Sequence, residues 1–232
     1  MVDGIDGSGK STVVETWKEE LSRRGESVFD LRKCLKETGQ WPEWNTLKNY
    51  AFVFCGEPTY IGVGKVIRDE LIKNGTAYPP EAVAQAYSLD RLILYTKIII
   101  PLLQNGQTVI QDRGVSTSLA YQSISDPKLT MKKLATLPGN ALTLKYRPDY
   151  LVLAKIKPEE AAKRLSGRAG KMDNVIFENL PFMRTASKKF MSTEYKSFMA
   201  KYGTKVITLN TMQKFDIMKA EAVLLLEKLT KK

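Results

Sequence analysis

The chain has 232 residues, 43% hydrophobic and 26% charged, the balance of a soluble enzyme long enough to bury one sizeable core. Its formal charge of +11, from 36 Lys and Arg against 25 Asp and Glu, predicts attraction to anions; the lysines are dispersed, with no interleaved aromatic stripe, which argues against a nucleic-acid partner. The absence of histidine excludes reactions that need an imidazole base, and two scattered cysteines, Cys34 and Cys55, read as reduced thiols rather than a disulfide or a metal cluster.

Residues 4–12 read GIDGSGKST and fit G-x-x-x-x-G-K-[ST], with Gly4, Gly9, Lys10 and Ser11 in the fixed places. Glycines let such a loop wrap so that its N–H groups and the following helix N-terminus face a β-phosphate, while Lys10 offers a compact charge to the β/γ oxygens and Ser11 is placed to ligate Mg²⁺. The candidate ATP-binding residues are Gly4, Asp6, Gly7, Ser8, Gly9, Lys10, Ser11 and Thr12. Only Met1, Val2 and Asp3 precede the loop, so the strand that feeds it is either truncated or borrows Gly4 and Ile5.

Residues 12–24 read as the first helix, with Val13, Val14, Trp17 and Leu21 near one side and Gly25 as the stop. Helices are also expected over 65–73, 80–103, 158–165 and 215–229. Between them fall the β-rich runs SVFDL, YAFVFC, TVIQD, DYLVLAKI and KVITL, and this alternation implies a parallel sheet with helices on both faces. The longest apolar run, LILYTKIIIPLL, is broken by Lys97 and Pro101 and is too short to span a bilayer, and the N-terminus lacks a secretory layout. A cytoplasmic protein without a membrane partner is therefore expected. TVIQD ends in Asp112, which in such sheets emerges near the loop and can reach Mg²⁺; an aspartate there also serves as a plain turn former. Arg113 beside it suits a second phosphate.

Five blocks follow in order: GIDGSGKST, EPT at 57–59, SLDR at 88–91, DRGVSTSLAYQ at 112–122 and PDYLVLAKIKPEEAAKRL at 148–165. On these blocks the chain resembles the thymidylate kinases, P-loop nucleoside monophosphate kinases. The resemblance implies an α/β P-loop NTPase fold, one three-layer α/β/α domain over 1–232 with a five-stranded, mostly parallel sheet and a mobile lid at about 164–178. It implies ATP as phosphoryl donor with Mg²⁺, dTMP as acceptor, and a homodimer. Asp6 is similar to the aspartate near the acceptor's 3′-hydroxyl, Tyr87 to an aromatic ring on thymine, Arg91 to an arginine donating to the base carbonyl, and Arg113 to the arginine on the acceptor phosphate. Thr117, Ser118 and Tyr121 match side chains bordering base and sugar, with Glu57 and Arg68 also on the acceptor side. Tyr87 fits core packing equally in kind, and Thr117 and Ser118 fit helix caps. Arg164 and Arg168, one helical turn apart, are the lid cations; with Lys10, Asp112 and Arg113 they complete the candidate catalytic set, and a solvated helix end is the alternative for the pair.

The chain also departs from the family pattern. Gly7 stands where some relatives place an arginine, Gly114 where a tyrosine is common, and Gly56 replaces the arginine of R-E-P, leaving Arg68 or Arg113 to compensate. An extra segment, 32–49, carries Trp41 and Trp44; it either covers the acceptor pocket or builds a subunit contact. Two other functions fit part of the pattern. A deoxynucleoside kinase would use Glu57 as base toward a sugar hydroxyl, and a nucleic-acid-associated ATPase would use the basic surface but leave Tyr87 and Arg91 without a purpose.

Overall fold

The computed structural model describes residues 1–167 and 175–230. In chain order, β1 (Val2–Asp3) leads through the phosphate loop into α1 (Lys10–Arg23), followed by β2 (Val28–Asp30), α2 (Leu31–Thr38), α3 (Trp44–Leu47) and β3 (Phe52–Gly56). α4 (Gly62–Val66) winds on through a wider π-type turn, Ile67–Leu71. α5 (Pro80–Leu94) does likewise over Tyr95–Ile99 before α6 (Ile100–Gln104). Next come β4 (Thr108–Asp112), α7 (Val115–Ser125), α8 (Met131–Ala135), α9 (Pro138–Lys145) and β5 (Tyr150–Lys155). The rest is α10 (Pro158–Ser166), α11 (Leu180–Met191), α12 (Thr193–Lys201), β6 (Lys205–Asn210) and α13 (Phe215–Thr230).

The strands form one sheet in the order β2-β3-β4-β1-β5-β6. It has six strands, the five β-rich runs and the residues entering the loop, one more than the five implied by the resemblance, and every pairing is parallel. The run SVFDL forms the edge strand, pairing through Val28–Asp30 with β3. Helical crossovers join the strands, so each one returns in the same direction. β1 does not borrow Gly4 or Ile5. Its two residues are paired on both flanks, Val2 opposite Asp112 and Val152, and Asp3 opposite Leu153.

Alternation along the strands separates the layers. Val152 joins Val13, Val14, Trp17 and Leu21 of α1 and Met218, Ala222 and Leu226 of α13 in one apolar cluster. Leu151 and Leu153 join α7, α11 and α12 in another. The Trp17 indole donates to Ala222 O at 2.7 Å, tying α1 to α13. α7 gave no helical period in the sequence because it is enclosed: Val115 through Gln122 are all buried, polar residues included. The extra segment is built onto the sheet edge. Asp30 caps α2 by accepting from Lys33 N at 3.2 Å, and Leu31, Leu35 and Leu47 sink into an apolar cluster with Val53 and Cys55 of β3. Among the described residues no helix is long and apolar enough to cross a membrane.

Candidate active site

The carboxyl ends of β1, β4 and β3 lie side by side and open into a cleft of about 960 Å³. Asp6, Gly7, Gly9, Lys10 and Ser11 line one part of it; Gly4, Ser8 and Thr12 belong to the loop without lining it. Lys10 is buried, and its Nζ donates to Ile5 O at 2.7 Å. Burial, with the Arg113 charge adding to it, lowers the Lys10 ammonium to about 8. Gly7 is required by its surroundings as well as by its φ of 73°. A Cβ there would stand 2.4 Å from Ala161 O and 3.0 Å from Leu165 Cγ, so α10 closes over this position and an arginine has no room.

Ser11 Oγ and Asp112 Oδ2 approach to 3.4 Å, a hydroxyl and a carboxylate converging on one spot. Among the described residues no group of three or more Asp, Glu, His or Cys side chains gathers to hold a metal. A hydroxyl with a single carboxylate is the donor set of an ion that takes its other ligands from substrate phosphates and water, which is the habit of Mg²⁺. Arg113 follows in left-handed backbone, φ 64°, a conformation that costs a non-glycine residue about 1–3 kcal/mol. Its guanidinium pairs with Asp6, reaches Gly4 O at 3.3 Å and lies 5.6 Å from the centre of the Tyr121 ring. Tyr121 donates to the other Asp6 oxygen at 3.1 Å. The Asp6 carboxyl is held below its usual range: burial opposes ionisation, but Arg113 and Lys10 outweigh it.

On the far side of the cleft Tyr87, Arg91, Thr117 and Tyr121 come together with Phe177. Arg91 is fully buried, and its fork is occupied. It pairs with Glu57 at 2.5 Å, donates to Ser118 Oγ at 3.0 Å and bonds Asn140 Oδ1, leaving Nε without a protein partner. Gln111 Nε2 donates to the second Glu57 oxygen at 2.8 Å. Burial pushes the Glu57 carboxyl up to about 7, with Arg91 pulling against it. Ser118 does not line the cleft; it acts behind Arg91. Neither Thr117 nor Ser118 caps a helix, since both lie inside α7.

Arg68 lines the cleft, but its guanidinium is tethered to Pro58 O and to Thr59 O at 3.1 Å and stacks 4.1 Å above the Tyr60 ring. Thr59 is in turn fastened to Asp90 by bonds of 2.8 and 2.6 Å, so the aspartate of SLDR anchors the EPT turn. Arg164 does not line the cleft. It lies beside the loop, its Nη1 3.9 Å from where a Gly9 Cβ would be, and donates to Thr211 O at 3.1 Å. Arg168 and residues 168–174 of the lid region lie outside the described residues.

Two contributors escape a reading by motif. Asp3 is fully buried and accepts from Thr117 Oγ1 at 2.6 Å, Gly4 N at 2.7 Å and Ser116 Oγ, pinning α7 to the loop. Its only signal is a charge at the end of a buried strand, where an unsatisfied carboxylate would be costly. Phe177 packs 5.1 Å from Tyr121 and carries no motif. The extra segment also faces this cleft, with Arg32, Lys33, Lys36 and Glu37 among its lining residues.

Comparison with known proteins agrees with this geometry. The family model described as thymidylate kinase matches residues 44–222. A thymidylate kinase of Prochlorococcus marinus is 31% identical over 86% of this chain and 84% of its own length. A probable thymidylate kinase of Thermococcus onnurineus is 31% identical over 75% and 73%, and one of Caldivirga maquilingensis 26% identical over 82% and 77%. The Asp112–Arg113 strand end and the aromatic side chains of the cleft lie within the residues that the family model matches, 44–222, with the phosphate loop ahead of them, and the chain belongs to the thymidylate kinase family.

Proposed function

We propose that this protein transfers the γ-phosphoryl group of ATP to the phosphate of dTMP, giving ADP and dTDP. The observation that carries the reading is one cleft lined both by the phosphate loop with Lys10 and by Tyr87, Thr117, Tyr121 and Phe177, with Arg113 paired to Asp6 of the loop and lying 5.6 Å from the Tyr121 ring centre. Two polyanions can be held there end to end. The acceptor oxygen is already ionised near neutral pH, so the protein needs no base, in keeping with a chain that contains no histidine.

In this reading Lys10 and the loop amides hold the β/γ-phosphates, and Ser11 and Asp112 would hold Mg²⁺. Held there, the ion would supply positive charge to the transferring phosphates. Arg113 meets the acceptor phosphate and Asp6 the 3′-hydroxyl, while Tyr87 takes the face of the base and the spare Nε of Arg91 its edge. Arg164 and Arg168 supply charge from the lid side as the phosphoryl passes across.

The hydroxyl-acceptor alternative is disfavoured by Glu57, whose two oxygens are already engaged by Arg91 and Gln111. Thymidine and dTMP offered side by side with Mg·ATP test the choice: dTDP from dTMP with no thymidine turnover is expected, and the reverse result removes the reading. We read the protein as a cytoplasmic homodimer. Exposed Val66 of α4 and Leu89 of α5, at 50% and 47%, are apolar surface available for that contact.

A further inference from the structure

Gly56 removes a side chain from the end of β3, directly opposite Asp112 in the sheet register, and both arginines expected to compensate already have protein partners. Arg68 is held by the Pro58 and Thr59 carbonyls, and Arg113 by Asp6 and Gly4. The extra segment supplies a different one. Arg32, in the first turn of α2, lines the cleft, and its stem runs through the space a residue-56 side chain would take: a Cβ at Gly56 would lie 3.2 Å from Arg32 Cδ and 3.0 Å from Asp112 O. A larger residue at 56 and Arg32 in this position therefore compete for one volume.

The head of Arg32 is held loosely. Nη2 pairs with Glu15 at 2.7 Å, whereas the contacts to Asp30 are 3.4 Å and the one from Nη1 to Asp112 is 3.5 Å, long for charge-assisted bonds. No carboxylate grips the fork with two short parallel bonds, in contrast to Arg23, which holds Glu20 at 2.8 and 2.7 Å. The Asp112 oxygen it approaches is the one that Ser11 also approaches, so the guanidinium stands where the donor loop meets the end of β3. Lys33 and Lys36 of the same helix face the same cleft.

We propose that Arg32 joins Arg113 as a ligand of the acceptor phosphate, delivered by the extra helix, and that Gly56 is the residue that makes room for it. The assignment rests on the dTMP kinase reading. It gives the extra segment a purpose: α2 carries a cation to the phosphate from the sheet edge instead of from β3. The specificity it adds is for a phosphorylated acceptor, through two parallel N–H donors that a sugar hydroxyl cannot match.

The test compares calorimetric titrations of the full chain with dTMP and with thymidine, because the thymidine dissociation constant divided by that of dTMP reports what the phosphate contributes. Arg32→Gln is expected to lower that ratio by about 10- to 100-fold, leaving thymidine and ATP affinities as in the wild type. Gly56→Ala retains the charge but crowds the stem; it should lower the ratio in the same direction, and the two changes together should be less than additive. An unchanged ratio in Arg32→Gln, or an equal loss of thymidine affinity, overturns the proposal. Should that variant not fold, a wild-type ratio in Gly56→Ala does so instead. A wild-type chain that phosphorylates thymidine and not dTMP sinks the kinase reading and this assignment together, whereas normal dTDP formation with unmoved ratios removes Arg32 alone.

Discussion

Lys10 shows how burial and function act on one side chain. Its ammonium is enclosed beside Arg113, which lowers its pKa to about 8, and a triphosphate would reverse that by offering negative charge. ATP binding near pH 8 should therefore take up a fraction of a proton, seen as a dependence of the calorimetric heat on buffer ionisation enthalpy, and should weaken as pH rises above 8. Stability of the unliganded chain runs the other way. The unfolded lysine keeps its proton to about 10.5 while the folded one loses it at about 8, so the unfolded state binds more protons between these values and the Lys10 contribution to stability rises with pH across that window. Lys10→Ala should lower kcat for dTMP by roughly 10²–10³-fold without loss of folded structure, since it removes an electrostatic donor from the reacting phosphates. Arg113 is the other costly residue, its left-handed backbone maintained by Asp6, Gly4 and the pairing of its N–H to Val2 O at 2.9 Å.

At the scale of elements, the phosphate loop depends on neighbours that are distant in the chain. α10 packs onto Gly7 through Ala161, and α7 is fastened to β1 through Asp3. Gly7→Ala should press a methyl group into the Ala161 carbonyl at a φ of 73°, displacing α10. The expected result is a stability loss of about 1–3 kcal/mol in urea denaturation, accompanied by weaker ATP binding, because overpacking and backbone strain act together. α2 illustrates a different dependence. Its apolar side, Leu31 and Leu35, is set into the core of the sheet edge, and this leaves Arg32, Lys33 and Lys36 directed to the cleft.

For the whole molecule, the charge of +11 lies mostly outside the cleft. Nine Lys and Arg side chains line the cleft against eight Asp and Glu, so attraction of anionic substrates comes from the field of the whole molecule. KM values for ATP and dTMP should rise with ionic strength between about 50 and 500 mM salt, more steeply than kcat falls, because exposed cations are screened beyond about 10 Å at 0.1 M. A steady-state series in potassium chloride checks this; flat KM values would show that the excess charge does not steer the substrates.

The phosphate loop, the Asp112–Arg113 strand end and the parallel α/β architecture were legible in the sequence because each is a local pattern: glycine spacing, a charge ending an apolar run, alternation of strand and helix. What stayed illegible depends on packing. α7 hides its period because all its faces are buried from Val115 to Gln122. Asp3, Phe177 and Arg32 carry no motif; each acquires its place from contacts more than twenty residues away in the chain, to Thr117, Tyr121 and Gly56 respectively. The sequence by itself determined which chemistry is possible, since residue types set charge and hydrogen-bonding capacity. Only the tertiary structure decided which cations are tethered and which stand ready for a phosphate, because that depends on the carboxylates and carbonyls that folding brings against each guanidinium.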